Sequence, residues 1–158
     1  MDTYECYRIN KLKILNLEKN NITDIKGLEN AKFEKLEKLY LNNNKIEDIN
    51  ILEKVKFKGL TGLYLYENNI SDIKVLENAK FEKLEYLSLH HNKLPDINVL
   101  EKVEFKELKE LYLDNNNISD ITALEKAKFE KLEILTLNDN KIKDKSIIAK
   151  LNIKKIKL

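Results

Sequence analysis

The sequence predicts an α/β solenoid, a curved arc with a parallel β-sheet on its concave face and short helices or helical turns on its convex face. An eleven-residue pattern of leucine, asparagine and isoleucine recurs six times at a constant 24-residue step. Within each copy, leucines alternate with mostly polar residues, as in a half-buried strand. Each copy is followed by an aspartate and an apolar run of near-helical spacing. A strand and a helical return that recur at one fixed step indicate a solenoid.

The pattern itself first appears as Leu12-x-x-Leu15-x-Leu17-x-x-Asn20-x-Ile22. It begins again, without insertions, at Leu36, Leu60, Leu84, Leu108 and Leu132. These residues resemble the leucine-rich-repeat family. The Asn-Asn/Lys-Ile-x-Asp-Ile phrase is most similar to microbial, internalin-like repeats and to the repeats of phosphatase-regulating subunits. The resemblance implies a single arc-shaped domain that spans nearly the whole chain.

Asparagines recur at the end of each predicted strand, where the family's asparagine points inward. A side-chain amide there can pair with backbone groups of the turn that would otherwise be buried without a partner. We therefore expect an internal ladder in place of a polar binding row on the surface. Its members are Asn20, Asn44, Asn68, Asn92, Asn116 and Asn140.

Aspartates form a second column, just before each apolar run. An aspartate in that position favours capping of a short helix or helical turn. The alternative, a calcium-binding ladder, needs glycine-rich turns, and the chain has three glycines. The column consists of Asp24, Asp48, Asp72, Asp96, Asp120 and Asp144.

Phenylalanines form a third column, at the end of the convex segment. Stacked aromatic rings bury a large area and tolerate offset geometry, so we expect them to belong to the core. They are Phe33, Phe57, Phe81, Phe105 and Phe129.

The two ends are predicted to close the solenoid. Residues 1–11 are interpreted as an N-terminal half-repeat, with Tyr4 and Tyr7 in apolar positions. Residues 12–152 hold the six repeats, and 153–158 are predicted to form a closing strand. Lys155 and Lys157 would discourage another chain from pairing with that edge. A monomer is expected, while a homodimer through the concave tyrosines or an end strand stays open.

The charge balance argues against nucleic acid as a partner. The chain has 29 Lys+Arg and 27 Asp+Glu, and they are interleaved, whereas phosphate binding needs a clustered basic footprint. No stretch approaches the ~20 apolar residues of a membrane span, so no membrane insertion is expected. Cys6 is the only cysteine, which excludes an intrachain disulfide. Because Met1–Cys6 lacks the apolar run of a secretory signal, a cytoplasmic protein is expected; a secreted or surface location stays open if the chain is a segment.

The strand positions between the leucines differ from copy to copy, while the convex phrase is copied almost verbatim. Divergence on one face of a copied scaffold is typical of a recognition surface. Tyrosine gives contact area and a hydroxyl at low entropic cost, although it is also common in strands for propensity alone. Gly62 is predicted to leave a gap that could hold a partner's side chain. The predicted partner-binding residues are Tyr40, Tyr64, Tyr66, Tyr86, His90, Tyr112 and Asp114.

No motif of the sequence favours catalysis or a cofactor. There is no phosphate-binding glycine loop, nucleophile elbow, or paired Cys/His or Ser/His arrangement. Adjacent strand residues point to opposite faces, so His90 and His91 are not expected to share a metal, and a solvated histidine at the rim is favoured.

The predicted function is therefore non-catalytic recognition of a protein partner on the concave face. One alternative is a structural or designed scaffold without a natural ligand, suggested by the copying of a two-repeat unit along the chain. The other is an internalin-like adhesin that binds a surface protein or a glycan.

Overall fold

A computed structural model of the chain describes residues 10–158, which form one seven-stranded parallel sheet in the order β1-β2-β3-β4-β5-β6-β7. The strands are β1 Ile14–Asn16, β2 Lys38–Tyr40, β3 Gly62–Tyr64, β4 Tyr86–Ser88, β5 Glu110–Tyr112, β6 Ile134–Thr136 and β7 Lys155–Lys157. Leu39 pairs with Leu63, and the same 24-residue step relates every pair from β1 to β6. The last step is shorter and runs from Leu135 to Ile156. The half-repeat predicted around Tyr4 and Tyr7 lies outside the described residues.

One-turn helical segments return the chain from each strand to the next, as the sequence predicts. Most are 3-10 helices, at Lys26–Asn30, Asn50–Glu53, Lys74–Glu77, Asn98–Glu101 and Ser146–Lys150, and the segment Ala123–Lys126 is α-helical. Each segment contributes apolar side chains to the core, such as Leu52 and Leu100, which are fully buried. In the part of the chain that the structure describes, no helix has the length and apolar character needed to cross a bilayer.

The core lies between the sheet and the helical segments. Every leucine at the middle of β2 to β6 has no exposed surface. Of the predicted phenylalanine column, Phe57, Phe81 and Phe105 are fully buried, whereas Phe33 and Phe129 are only partly buried. The predicted core role is confirmed, and the two outer members pack against the core at its edges.

The predicted asparagine ladder is confirmed. Asn68 is representative: its Oδ1 accepts a hydrogen bond from the backbone N–H of Ile46 at 3.0 Å. Its Nδ2 donates to the carbonyl oxygens of Leu41 and Leu65, both at 3.0 Å. The side chain thus joins its own strand end to the preceding repeat. Asn20, the first member, is exposed, and within residues 10–158 its amide donates to the nearby Glu18 carbonyl.

The residue before each ladder asparagine adopts a left-handed conformation. The φ angles at these positions lie between 52° and 56°, a region that non-glycine residues rarely occupy. They are Lys19, Asn43, Glu67, His91, Asn115 and Asp139. Only half of them are the Asn or Asp that this conformation favours, and none is glycine, so the turn leaves a weak signature in the sequence.

The predicted aspartate caps are present, but each aspartate lies one residue before the N-cap position of its helical segment. Asp48 Oδ1 accepts a hydrogen bond at 2.7 Å from the backbone N–H of Asn50, the first helical residue. The other five aspartates make the same bond to the residue two positions on. This bond to the backbone of Thr122 lowers the pKa of Asp120, and the corresponding bond to Ser146 lowers the pKa of Asp144. The column is therefore structural.

Asp48→Ala is expected to lower the free energy of unfolding by about 1 kcal/mol, because it leaves the Asn50 N–H without its side-chain acceptor. Urea unfolding followed by circular dichroism measures the change. Glu47→Ala is the matched control, since it removes a neighbouring exposed carboxylate that is not the acceptor. Equal losses in the two variants would contradict the capping role.

Candidate functional site

The candidate site lies on the outward side of the sheet. We use the term concave face for the outward side chains of β1 to β7 and of the residue two positions after each strand. The pairing register arranges these side chains in rows across the strands. One row runs from Gly62 through Tyr86 to Glu110, and the next from Tyr64 through Ser88 to Tyr112. Neighbouring members of a row are ~4.8 Å apart because that is the spacing of paired strands.

A depression of about 500 Å³ opens at the centre of this face. Ser88 is 4% exposed and lies in the row between Tyr64 and Tyr112, so the short serine forms the floor between two large side chains. The lining consists of Tyr64, Tyr66, Tyr86, Ser88, His90, Glu110 and Tyr112. Five of the seven predicted binding residues are therefore brought together here.

The two other predicted residues lie beside the depression. The ring of Tyr40 stacks on Tyr64, with centroids 4.4 Å apart and planes within 8°. Asp114 is partly buried, and its carboxylate accepts a hydrogen bond from the Thr136 hydroxyl. The lining also contains Ser88 and Glu110, which were outward positions in the strand pattern but were not predicted as binding residues.

The gap predicted at Gly62 is occupied by Tyr64. A Cβ placed on Gly62 would lie 2.8 Å from Tyr64 Cε2 and 3.1 Å from its hydroxyl oxygen, too close for a real contact. The glycine therefore accommodates the tyrosine of its own strand, not a partner's side chain. The open space lies one strand away, above Ser88.

His90 differs from its predicted state as a solvated rim residue. Its ring stacks on Tyr66, with centroids 4.4 Å apart, and meets Tyr112 edge-on at 6.3 Å. Its Nδ1 lies 2.9 Å from the Ser88 hydroxyl oxygen. These contacts leave the imidazole partly buried within the aromatic cluster.

The argument that placed the two histidines on opposite faces of a strand was wrong. Strand β4 ends at Ser88, and His91 has a φ of 53°, so the pair lies in the turn. Their ring centroids are 5.5 Å apart. Across residues 10–158, no group of three or more His, Cys, Asp or Glu side chains is arranged to hold a metal ion.

Two other predicted outward positions are closed. Asn42 is 1% exposed, and its Nδ2 donates to the Asn43 side chain at 2.9 Å. Thr136 is 3% exposed because its hydroxyl is bonded to Asp114. The outward residues of the two end strands, such as Ile14 and Lys155, are exposed, whereas those of β3 to β5 are partly or fully buried around the depression.

Burial raises the pKa of three aromatic hydroxyls of the depression, those of Tyr64, Tyr66 and Tyr112. Burial, followed by the nearby Tyr40 phenol, raises the pKa of Tyr64 to about 12. Burial and then the hydrogen bond to the Glu110 carboxylate raise the pKa of Tyr112 to about 12. Burial also raises the pKa of Tyr66. At neutral pH these side chains therefore offer hydroxyl donors together with apolar rings.

Burial lowers the pKa of His90 from its ordinary value of 6.5, and the neighbouring His91 lowers it further. Asp114 and Glu67 oppose this shift only in part. Since the folded state binds this proton less readily than the unfolded state, His90 reduces stability as pH falls below 6.5 and has no such effect above it. When the pH is lowered from 7.5 to below 6.5, we expect the free energy of unfolding to fall less in His90→Gln than in the wild type.

Urea midpoints measured as a function of pH test this expectation. His91→Gln is the comparison: it removes an exposed imidazole of the same turn and the smaller of the two causes that lower the pKa of His90, so it should reduce the acid loss less than His90→Gln does. If the acid loss of stability were the same in wild type and His90→Gln, the buried imidazole would not be its source.

Two further grooves lie on the helical side of the molecule. One, of about 520 Å³, extends from Thr23 to Lys54, and another, of about 330 Å³, from Ser71 to Val99. Equivalent positions in the two grooves are two repeats apart, and both contain aspartates that bond to the helical segments. They are therefore clefts of the repeating architecture and not a distinct site.

The comparisons with known proteins agree with this geometry. The family model described as "Leucine Rich repeats (2 copies)" matches residues 10–54, 58–102 and 106–150. Each match thus spans two successive repeats of the sheet, and the next match begins two repeats further along the chain. No match was found among the curated proteins.

Solved bacterial structures share the fold. The chain is 28% identical to an internalin from Listeria monocytogenes, with a TM-score of 0.76, and the match covers 99% of this chain and 44% of that one. It is 26% identical to a leucine-rich-repeat protein from Leptospira interrogans, with a TM-score of 0.77, covering 100% of this chain and 40% of that one. For internalin C2 of Listeria monocytogenes the values are 23% identity, a TM-score of 0.57, and 96% and 82% coverage. The chain thus spans less than half the length of the first two proteins.

Proposed function

The chain belongs to the leucine-rich-repeat family, and from that premise we propose that it is a non-catalytic recognition module that binds a protein partner on its concave face. The family relationship supports a protein-interaction module. The concave face is proposed as the contact surface because its side chains are varied and accessible.

The observations that carry this proposal are two groups of ring contacts on β2 to β5 and the turns that follow these strands. Tyr40 stacks on Tyr64, and Tyr66 stacks on His90, so the rings are already ordered in the free protein. Ordered aromatic side chains lose little rotamer entropy on binding, and tyrosine is enriched among residues that dominate binding energy. A depression beside such rings gives a partner side chain a place to become buried.

The convex side lacks these properties. It carries ion pairs between successive repeats, such as Lys131–Glu107 at 2.6 Å and Lys150–Glu125 at 2.9 Å. These side chains are about half exposed, and exposed pairs of this kind contribute ~0–1 kcal/mol. The convex side is therefore a solvated surface, and many of its charges have partners within the chain.

Affinity capture from a lysate of the source organism tests the proposal. The wild type is compared with Tyr64→Ala/Tyr66→Ala/Tyr112→Ala, which removes three rings around the depression. The matched control, Lys80→Ala/Glu82→Ala/Lys106→Ala, alters three exposed residues outside the concave face. We expect a partner to be captured by the wild type and the control but lost by the tyrosine variant.

Other outcomes would contradict the proposal in different ways. Equal capture by all three proteins would move the contact surface away from the tyrosines. Capture by none of them would favour a scaffold without a ligand. Binding to a glycan array that disappears in the tyrosine variant would replace the protein partner with a carbohydrate.

A further inference from the structure

We propose that the depression above Ser88 binds a lysine or arginine side chain of the partner protein, with Glu110 as its counter-ion. This inference rests on the proposed function, recognition of a protein on the concave face. It further specifies that the partner residue bound in the depression is positively charged. Its basis is the combination of one carboxylate, several tyrosine rings and a small floor residue in one open space.

The charge of the depression is complementary to a cation. Glu110 is the charged residue of the lining, which contains no lysine or arginine within the described part of the chain. Asp114 and Glu67 are close enough to influence His90 from the far end of the cluster. Two lysines share the row of Glu110: Lys38 is three strands away, or ~14 Å, and Lys155 is two strands away on the other side, or ~9.6 Å. Both backbone separations exceed the screening length of ~8 Å at physiological salt.

Glu110 retains the capacity to bind a cation. Its Oε2 accepts a hydrogen bond from the Tyr112 hydroxyl, whereas a carboxylate has about four acceptor positions. The hydrogen bond orients the carboxylate and joins it to a ring of the wall. An arginine or lysine would supply the charge-assisted hydrogen bonds that the remaining acceptor positions favour.

The walls suit a flat or extended cationic side chain. Tyr64 and Tyr112 are two strand steps apart, about 9.6 Å at the backbone, with the short Ser88 between them. Tyr40 covers one face of Tyr64 and holds that ring in place. A cation within ~6 Å of a tyrosine ring is attracted to its electron-rich face, and the methylene stem gains contact with the same ring.

Other occupants fit these side chains less well. An anion would be repelled by Glu110, and no cation of the lining offsets that repulsion. A purely apolar side chain would exclude water from the carboxylate without replacing its hydrogen bonds, which is unfavourable. The neutral tyrosine hydroxyls and the single carboxylate together favour a positively charged donor.

Nuclear magnetic resonance titration of the full chain tests the proposal with two small probes. Nα-acetyl-arginine amide carries the cation, and Nα-acetyl-citrulline amide has nearly the same shape but no charge. We expect shift changes at Tyr64, Ser88 and Tyr112, and binding of the arginine probe about fivefold tighter or more. Glu110→Gln should remove this preference, whereas Glu104→Gln, an exposed carboxylate outside the concave face, should keep it.

A second variant acts through shape. Ser88→Leu keeps every charge but fills the floor of the depression, so it should weaken the arginine probe at least as strongly as Glu110→Gln. The amide spectrum of each variant shows whether the fold is retained. If Glu110→Gln disturbs that spectrum, the comparison of arginine with citrulline on the wild type decides the question.

The proposal is overturned by equal affinity for the two probes, by shift changes confined to other surfaces, or by no shift change up to concentrations on the order of 10 mM, where a single anchored side chain should bind. These outcomes are distinct from failure of the recognition role. Loss of captured partner in the tyrosine variant without an arginine preference would retain the concave face and reject the cationic anchor. An arginine preference without any captured partner would support the cation-binding depression and leave the recognition role without support.

Discussion

Phe81→Ala is expected to lower the free energy of unfolding by about 3–5 kcal/mol, the loss typical of a fully buried phenylalanine. The Phe81 ring is 1% exposed and lies 6.5 Å, centroid to centroid, from Phe105 of the next repeat. Its truncation leaves a cavity between two repeats, and surrounding side chains relax into such a cavity only in part. Since each repeat of a solenoid contacts only its neighbours, the loss falls on one junction near the middle of the array.

Urea unfolding and amide hydrogen exchange measure both consequences. We expect the midpoint to fall, and the halves of the chain on either side of Phe81 to lose protection at different denaturant concentrations. Phe129→Ala is the control, because this ring is only partly buried and should contribute less. A loss as small as that of the control, with both halves unfolding together, would contradict the view that Phe81 couples the repeats.

The fold was predictable because periodicity determines which side chains are buried. A strand residue and its neighbour face opposite sides, so the positions of Leu39 and Leu41 determine that Tyr40 points outward. The constant 24-residue step then places the equivalent residue of the next repeat beside it, as the pairing of Tyr40 with Tyr64 confirms. The shorter final step, from Leu135 to Ile156, follows from the same leucine pattern.

The turn after each strand was not predictable in the same way. Left-handed conformation usually selects glycine or asparagine, yet Lys19, Glu67 and His91 adopt it here. The side chain of the following asparagine binds the backbone around the turn, so tertiary hydrogen bonds and not local preference stabilise the conformation. This is why the two histidines were wrongly treated as strand residues.

For the candidate site, the sequence predicts which side chains point outward on the sheet but not where a depression forms between them. Which residues point outward follows from alternation, and five of the predicted residues do line one depression. Where the depression lies depends on rotamers chosen by neighbours on adjacent strands. Tyr64 leans over Gly62 and stacks on Tyr40, which closes the predicted gap and leaves the space above Ser88 open.

Asn92→Ala is expected to lower the free energy of unfolding by about 1–3 kcal/mol, because it leaves the buried Ile70 N–H without its acceptor. It also removes one of the two side-chain amides that donate to each of the Leu65 and Leu89 carbonyl oxygens. Asn92 Oδ1 accepts from the Ile70 N–H at 3.0 Å, and Nδ2 donates to the Leu65 and Leu89 carbonyl oxygens, both at 3.0 Å. The side chain is 8% exposed, so water replaces these bonds poorly. Urea unfolding measures the loss.

Asn92→Asp separates the hydrogen bonds from the volume of the side chain. An aspartate keeps an acceptor for Ile70 but presents a charged oxygen to the carbonyls of Leu65 and Leu89 where the amide donated. The folded state should therefore raise the pKa of this carboxyl, and the variant should gain stability relative to the wild type as pH falls toward 4, when the protonated carboxyl can donate. Asn20→Ala is the matched control, since this ladder member is exposed and should change stability little. A loss in Asn92→Ala no greater than that of Asn20→Ala would mean that packing of the leucines, and not the ladder, holds successive repeats in register.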